Sequence, residues 1–260
     1  MANQEHLALL EKAKHWLIWR QNQPQIIPDL REVDLTGKNL EQAYLFGVNL
    51  SKSHLEKVNL SHANLEKADL SQANLLAANL SYAQLQKANL IGANLGQANL
   101  TQGNFSQANL IGTSLRNSQI KGADFSRTQL NRTNLSEACG RETNFCEADL
   151  SQGTLYEAEL QGAYFYCANL YQAQLIQAHL SHSYLFRANL TEIKGDRLDL
   201  RWCNLTQANL QGASLQGANL SYANLSYAKL QGANLHRANL RGANLIGANL
   251  EDTNLTGVDI

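Results

Sequence analysis

The chain has 260 residues, 21 of them Lys or Arg and 22 Asp or Glu, which gives a net charge of −1, and 44% are hydrophobic. This balance does not indicate nucleic acid binding through bulk positive charge, nor the strong acidity of a nucleic acid mimic. There is no run of 18 or more apolar residues, and the charged first 25 residues lack an apolar signal segment, so we expect neither a membrane span nor secretion.

The first segment is predicted to be helical. Five apolar residues fall at helical spacing: Leu9, Leu10, Ala13, Trp16 and Leu17. We therefore expect one amphipathic helix over residues 3–21. A short linker, residues 22–27, contains Pro24 and separates this helix from the rest of the chain.

A five-residue repeat follows the linker. From Leu35 to Ile260 every fifth residue is Leu, Phe or Ile except Gly140 and Gly195, and no insertion breaks this register over 226 residues. The residue two before each centre is usually small, and the residue just before it is usually Asn or Asp. On a helix such centres would drift around every face, and on a straight strand they would alternate faces. The pattern therefore predicts a coil that turns the same way after each unit.

The spacing of the phenylalanines predicts four units per coil. Four centres are Phe, spaced by twenty: Phe105, Phe125, Phe145 and Phe165. Direct stacking, one per coil, is the simplest reason for this spacing. Twelve of the 17 glycines stand two residues after a centre, where a corner turn needs positive φ. The 46 centres then form about 11.5 coils and a rod about 55 Å long, at about 4.8 Å per coil.

The A-(N/D)-L-x-x unit resembles that of pentapeptide-repeat proteins from about Asp29 to the end of the chain. The resemblance implies an all-β solenoid, a right-handed quadrilateral β-helix with the central Leu and the small residue inward. Residues 16–20 together with 28–30 resemble the leader of many cyanobacterial-type members. We expect residues 1–27 to form an α-helical cap and linker, because solenoid ends need covering, and residues 28–260 to form the β-helix. The alternative is a helix that also binds a partner.

Few residues indicate catalytic chemistry. No phosphate loop, GxSxG, HExxH or paired zinc ligands are present, and a rod with a filled core offers no deep cleft, so we expect no enzyme, no cofactor and no metal. Cys139, Glu159 and His179 share one column, but three ligands in a line make poor tetrahedral geometry. The four cysteines form no CxxC pair and are typical of reduced thiols in a cytoplasmic protein, although a disulfide between Cys146 and Cys167 stays open.

Outward aromatic residues are the candidate partner-binding sites. One group flanks the centres 165 and 185: Tyr164, Tyr166, Tyr184 and Phe186. A second group stacks in one column, with Tyr227 nearby: His182, Trp202 and Tyr222. Clustered exposed aromatic side chains indicate a binding surface. The alternative is that they only decorate a β-surface through cross-strand pairing.

We interpret the chain as a non-enzymatic protein–protein interaction or scaffolding module with an unidentified protein partner and no direct contact with nucleic acid or membrane. The family resemblance implies a regulatory role, as in some cyanobacterial members that act in cell differentiation. The alternative is a DNA mimic acting on a type II topoisomerase, as other members do. That mechanism needs a strongly negative rod, whereas residues 33–260 carry 17 basic and 18 acidic side chains, with a basic belt at 116–132 beside an acidic belt at 137–159.

The last coil is expected to pair with a second copy. Its apolar centres form a square around an open backbone edge: Leu245, Leu250, Leu255 and Ile260. Two such ends meeting about a two-fold axis would cover both, which predicts a homodimer.

The two glycine centres lead to different expectations. Ile193 and Leu198 stand where other units have Ala, Ser or Thr, so we expect their bulk to fill the space that Gly195 vacates. Gly140 shows no such compensation, because Ala138 and Thr143 stand beside it, and we expect only a local void or bulge there.

Overall fold

The structure, a computed structural model, describes residues 3–260 and consists of a helical N-terminal segment followed by a four-sided coil. The single helix expected over 3–21 is wrong: there are two helices, α1 (Gln4–Leu10) and α2 (Ala13–Asn22). Leu10 and Trp16 are both buried, yet on one continuous helix they would lie about 120° apart. The break at residues 11–12 turns both toward the core, while Leu17 is left exposed. Met1, Ala2 and the Ala13 side chain lie outside the described part of the predicted cap.

The coil advances twenty residues per turn. From Asp29 onward the residue before each centre forms a parallel bridge with the residue twenty positions later, ending with Asn239 and Asp259. Each side holds one such bridged residue between two turns, so no side within residues 3–260 becomes a longer strand. The bridges confirm that four five-residue units make one coil.

The same backbone hydrogen bonds recur in each coil. The Leu60 N–H donates to the Asn79 carbonyl at 2.7 Å, and the Asn79 N–H donates back to the Val58 carbonyl at 2.9 Å. At the corner, the Ala63 N–H closes a turn on the Leu60 carbonyl at 3.0 Å. The backbone polar groups of one coil are therefore satisfied mainly by its two neighbours.

Every corner turns through a residue with positive φ. The position two after each centre has φ between +52° and +69° in twelve glycines and in 34 other residues. The expectation for the glycines is confirmed, but most corners are built without glycine. An L-residue in this region loses about 1–2 kcal/mol relative to its right-handed conformation.

The interior is filled by two inward positions per unit. The centres and the small residues two before them are buried along the rod, as in Leu60 and Ala63. Phe105, Phe125 and Phe145 stack on one another and on the next phenylalanine twenty residues later, with ring centroids 4.9, 5.4 and 5.1 Å apart. This column confirms the interpretation of their spacing.

The two glycine centres keep the coil in register. At Gly195 an added Cβ would lie 3.0 Å from Leu198 Cδ2 and 3.1 Å from Leu215 Cδ2. Leu198 fills the space as expected, but Ile193 is not among the nearest neighbours, and the second side chain is Leu215 from the next coil. At Gly140 a Cβ would lie 2.6 Å from Ile120 and 2.8 Å from Leu160, so the coils on either side close the expected void.

There is no bulge at Gly140 either. Its N–H donates to the Glu159 carbonyl at 2.7 Å, as other centres do across the same step. The expectation for Gly140 was therefore wrong, because the filling side chains come from positions twenty residues away on each side.

The N-terminal segment supplies hydrogen bonds that a preceding coil would otherwise make. The Asn3 N–H donates to the Asp29 carbonyl at 2.9 Å, and the Asp29 N–H donates to Nδ1 of His6 at 3.0 Å. These bonds cover the first side of the first coil.

Helix α2 covers another side of the same coil. Trp16 Nε1 donates to the Tyr44 carbonyl at 2.7 Å, and Arg20 Nη2 donates to the Phe46 carbonyl at 2.7 Å. A cavity of about 460 Å³ remains beside Leu35 and Leu40. The cap thus takes the place of a preceding coil on two sides of the rod, and a groove remains along the other two sides.

The opposite end of the described rod is open. Leu245 and Leu250 are partly exposed, and Leu255 and Ile260 are 41% and 82% exposed. This matches the apolar square expected there. The homodimer stays a prediction.

A double-mutant cycle tests the packing at Gly195. Gly195→Leu should destabilise the protein by about 1–3 kcal/mol through overpacking, and Leu198→Ala should destabilise it by about 2–5 kcal/mol through a cavity. The double variant rebuilds the ordinary repeat unit, so its loss should be smaller than the sum of the single losses by more than about 0.5 kcal/mol. Urea unfolding measures all three, and additive losses would contradict the packing described.

The cap is tested by Arg20→Met, which keeps the length of the side chain but removes the hydrogen bonds that Arg20 donates to the Ile26 carbonyl at 2.9 Å and to the Phe46 carbonyl at 2.7 Å. We expect a loss of about 1–3 kcal/mol, confined to the first coils because each coil contacts only its neighbours. Hydrogen exchange should accelerate around residues 30–60 and stay unchanged around residues 145–165. Arg197→Met, at an exposed corner, is the control; equal exchange in the two variants would refute the capping role.

Candidate interaction face

The coil places both predicted aromatic groups on one side of the rod. We call this surface the aromatic face and define it by the outward residues of five segments: 162–167, 182–187, 202–207, 222–227 and 242–247. Along each segment the outward side chains stand at the first corner, before the centre, after the centre and at the second corner. The two groups that the sequence analysis treated separately are therefore neighbours on a single surface.

The rings of this face stand in rows along the rod. Tyr164 and Tyr184 occupy bridged positions, with ring centroids 5.2 Å apart and planes 4° apart. Tyr166 and Phe186 form the adjacent row at 5.7 Å and 15°. Aromatic pairs contribute about 0.5–1.5 kcal/mol beyond their buried area, so the rows hold one another in place.

A third row runs along the first corner. The rings of His182 and Trp202 are 6.2 Å apart, and those of Trp202 and Tyr222 are 4.2 Å apart and nearly parallel. Trp202 and Tyr222 remain 54% exposed, and Tyr227 at the second corner is 61% exposed. The face therefore keeps much apolar area in contact with water although its rings are ordered.

The N-terminal part of this side also carries stacked rings, which were not among the predicted residues. His62 and Tyr82 stack at 4.9 Å on the same corner column as Trp202, and Tyr44 lies beside Phe46 at 6.2 Å. The signal was available, because these residues share the twenty-residue columns of the later rings.

The column considered for zinc does not form a metal centre. His179 lies between two carboxylates, with Nε2 3.8 Å from Glu159 and Nδ1 3.8 Å from Asp199. Within residues 3–260 no group of three or more ligating side chains is arranged to hold a metal ion.

Arg201 donates two hydrogen bonds at 2.8 Å to Asp199 and keeps the pKa of this carboxyl low, although burial acts in the opposite direction.

The two charged belts form ion pairs with each other at two positions. Arg116 lies 2.8 Å from Glu137, and Arg127 lies 3.1 Å from Glu147 in the next coil. Oppositely charged side chains thus alternate along the rod at these columns rather than forming a uniform surface of one sign.

The four cysteines are free thiols, so the disulfide left open between Cys146 and Cys167 is not formed. Cys139 and Cys167 are exposed, whereas burial raises the pKa of Cys203 to about 12. Burial also raises the pKa of Cys146.

We expect alkylation to follow this order. Iodoacetamide at pH 8 should label Cys139 and Cys167 first, because only the thiolate reacts and these side chains are accessible. Cys203 should react only after unfolding in urea. Mass spectrometry of tryptic peptides gives the order, and labelling of native Cys203 as fast as Cys167 would contradict it.

A family model described as pentapeptide repeats matches the chain over these residues: 29–61, 59–97, 88–127, 128–165, 163–194, 199–237 and 233–260. Between the first and last matched residues only 195–198 are left out, which is the stretch where Gly195 and Leu198 depart from the repeat. Neither helix in the described part of the chain is long and apolar enough to cross a membrane.

Solved structures give similar relatives. HetL, a pentapeptide repeat protein involved in heterocyst differentiation regulation from the cyanobacterium Nostoc sp. strain PCC 7120, is 30% identical over 93% of this chain and 94% of its own, with a TM-score of 0.35. Rfr23 from the cyanobacterium Cyanothece 51142 is 41% identical over 38% of this chain and 58% of its own, with a TM-score of 0.16.

The plasmid-mediated fluoroquinolone resistance protein QnrB1 is 16% identical over 84% of this chain and 92% of its own, with a TM-score of 0.30. Curated proteins give no match. Because these TM-scores are below 0.5, family membership rests on the repeat sequence rather than on superposition. The chain belongs to the pentapeptide-repeat family, whose members fold as right-handed quadrilateral β-helices.

Proposed function

We propose that this chain is a non-enzymatic protein-interaction module that binds a partner protein through the aromatic face. The observation that carries the proposal is the arrangement of exposed rings in three adjacent rows on one flat side. Pentapeptide-repeat proteins are generally structural or interaction modules. Tyr and Trp are enriched among the residues that dominate binding energy at protein interfaces.

The energetics of the fold support this use of the face. The rows are fixed by stacking on a rigid backbone, so a partner that binds them loses little additional side-chain entropy on the side of this chain. The side chains at three of the five positions in each unit point outward and do not pack in the core. The sequence can therefore change at these positions without loss of the coil.

The proposal includes a bacterial cytoplasmic location and a regulatory role, which follow from the free thiols and the family resemblance in the sequence. The DNA-mimic alternative is disfavoured because the charged belts pair across coils instead of presenting a uniform negative surface. A supercoiling assay with a type II topoisomerase separates the two, and we expect no effect of this protein at molar excess.

The interaction module is tested with a triple variant, Tyr164→Ser, Tyr184→Ser and Phe186→Ser. We expect affinity capture from the native organism to lose the partners that wild-type protein retains, and purified partners to bind at least tenfold more weakly. Circular dichroism should remain that of the wild type, because all three side chains lie outside the core.

The matched control is the double variant Tyr156→Ser and Tyr171→Ser. Both tyrosines lie on the coil surface but outside the aromatic face, and Tyr156 is exposed to a similar degree as Tyr164. The control should retain the partners. Recovery of the same partners by the triple variant would show that the rings only stabilise the β-surface.

A further inference from the structure

The aromatic face differs from the other sides of the rod in its charge. Its five segments contain no Asp or Glu and a single Arg or Lys, Arg187. Over the same coils the other sides carry carboxylates, among them Glu192, Asp196 and Asp199. The face thus combines exposed, stacked rings with a local absence of negative charge.

Two arginines at the edge of this face are already neutralised. Arg201 Nη2 lies 2.8 Å from Asp199 Oδ2, and Arg241 Nε lies 2.9 Å from Asp259 Oδ1. Both carboxylates belong to the adjoining side of the coil. These two arginines therefore have their counterions within the chain.

Arg187 has a different environment. Its Nε donates to Oε1 of Gln207 at 2.7 Å, and its guanidinium lies 5.1 Å from the centroid of the Phe186 ring. No Asp or Glu in the described part of the chain forms an ion pair with it. Because a guanidinium has five N–H donors in a planar fork, it retains the capacity to bind a carboxylate in two-point fashion.

The aromatic rings and tyrosine hydroxyls around Arg187 are suited to binding a peptide. Phe186 continues into the row of Tyr166, and Tyr184 stands before the same centre. Within residues 3–260 the hydroxyls of Tyr164, Tyr166 and Tyr184 form no hydrogen bond. A cation fixed on an aromatic ring and bordered by free hydroxyls matches acidic and apolar side chains at the same time.

We propose that the aromatic face binds an acidic protein segment, with a carboxylate of the partner on Arg187 and apolar or aromatic side chains against the rings around it. This rests on the proposed function and names the chemistry of the partner. The segment contacts side chains rather than adding a strand, because the backbone here is already bonded to the next coil: the Cys167 N–H donates to the Phe186 carbonyl and the Leu185 N–H to the Asn204 carbonyl.

A single-stranded nucleic acid also combines rings with negative charge, but it fits this face less well. Its backbone carries one charge per nucleotide and is bound through several cations along its path. The aromatic face has one arginine that forms no ion pair within residues 3–260, which suits one carboxylate among apolar residues. Nucleic acid binding is therefore an outcome of the test that would overturn the proposal.

The probe is a fluorescently labelled random copolymer of glutamate and tyrosine in a 4:1 ratio, measured by anisotropy with the full chain. We expect it to bind, and a lysine–tyrosine copolymer of equal length and labelled oligothymidylate not to bind. Arg187→Glu should weaken binding at least tenfold, and Arg187→Lys should weaken it less, since the ammonium keeps the charge but not the planar fork.

The matched control is Arg197→Glu, the same change of charge at the diagonally opposite corner of the coil, where the side chain is also exposed. It should bind the probe as wild-type protein does. Equal weakening by the two Glu variants would show non-specific electrostatics and overturn the proposal, as would absence of binding or binding of oligothymidylate alone. If natural partners depend on the three rings but not on Arg187, the interaction module stands and the acidic partner is refuted.

Discussion

Each corner of this rod passes through one residue with positive φ, and the rest of the structure depends on that constraint. Only twelve of these corners are glycine, and the others place Gln, Lys, Arg, Glu and even Trp in the left-handed region. Each of the 34 non-glycine residues at a corner is strained by about 1–2 kcal/mol. The corner is maintained because the coils above and below bond its backbone, as the His62 N–H does with the Ser81 carbonyl at 2.9 Å. Stability is therefore a property of neighbouring coils, not of one repeat.

The corners also determine where function can be placed. Because the direction of the chain is set by the turn and the two inward positions, the outward positions are free to vary. Trp202 and Tyr222 occupy strained corner positions with φ of +60° and +59° and still leave half of their surface exposed. Large rings at such positions are not needed for the core. Their columnar repetition is instead a consequence of the exact twenty-residue coil.

The sequence was sufficient to predict the coil, because its period of five has no insertion and the phenylalanine spacing gives the number of units per turn. The twenty-residue spacing also predicted the columns of rings. Adjacent columns were not compared, however, so Tyr184 and Trp202 were not placed on one face. The break between α1 and α2 was not predictable from helical periodicity, since it depends on how Leu10 and Trp16 fit the end of the first coil. The filling of Gly140 likewise depends on side chains twenty residues away, beyond any local pattern.

The contacts of Arg187 could not be predicted from the sequence either. Arg201 and Arg241 each directly follow a centre, whereas Arg187 stands at a corner two residues after one, and the three differ in their partners. The partner of Arg201 is Asp199, two residues earlier, but the partners of Arg187 and Arg241 come from the next coil. Only the three-dimensional contacts show that Arg187 forms no ion pair with a carboxylate among the described residues. The five-residue repeat also does not predict that the guanidinium of Arg187 stacks on the Phe186 ring.

Glycines on the following coil help to fix the rings before any partner arrives. At Gly242 an added Cβ would lie 2.8 Å from the Tyr222 ring, and at Gly247 one would lie 2.7 Å from the Tyr227 ring. Each glycine thus has two roles. It permits positive φ, and because it has no Cβ it leaves room for the tyrosine ring of the preceding coil. The Tyr222 ring is held between Trp202 and the bare backbone of Gly242 and has few alternative rotamers, so less conformational entropy is lost on binding. The glycines that look like plain repeat consensus in this part of the rod therefore belong to the aromatic face as much as the rings do.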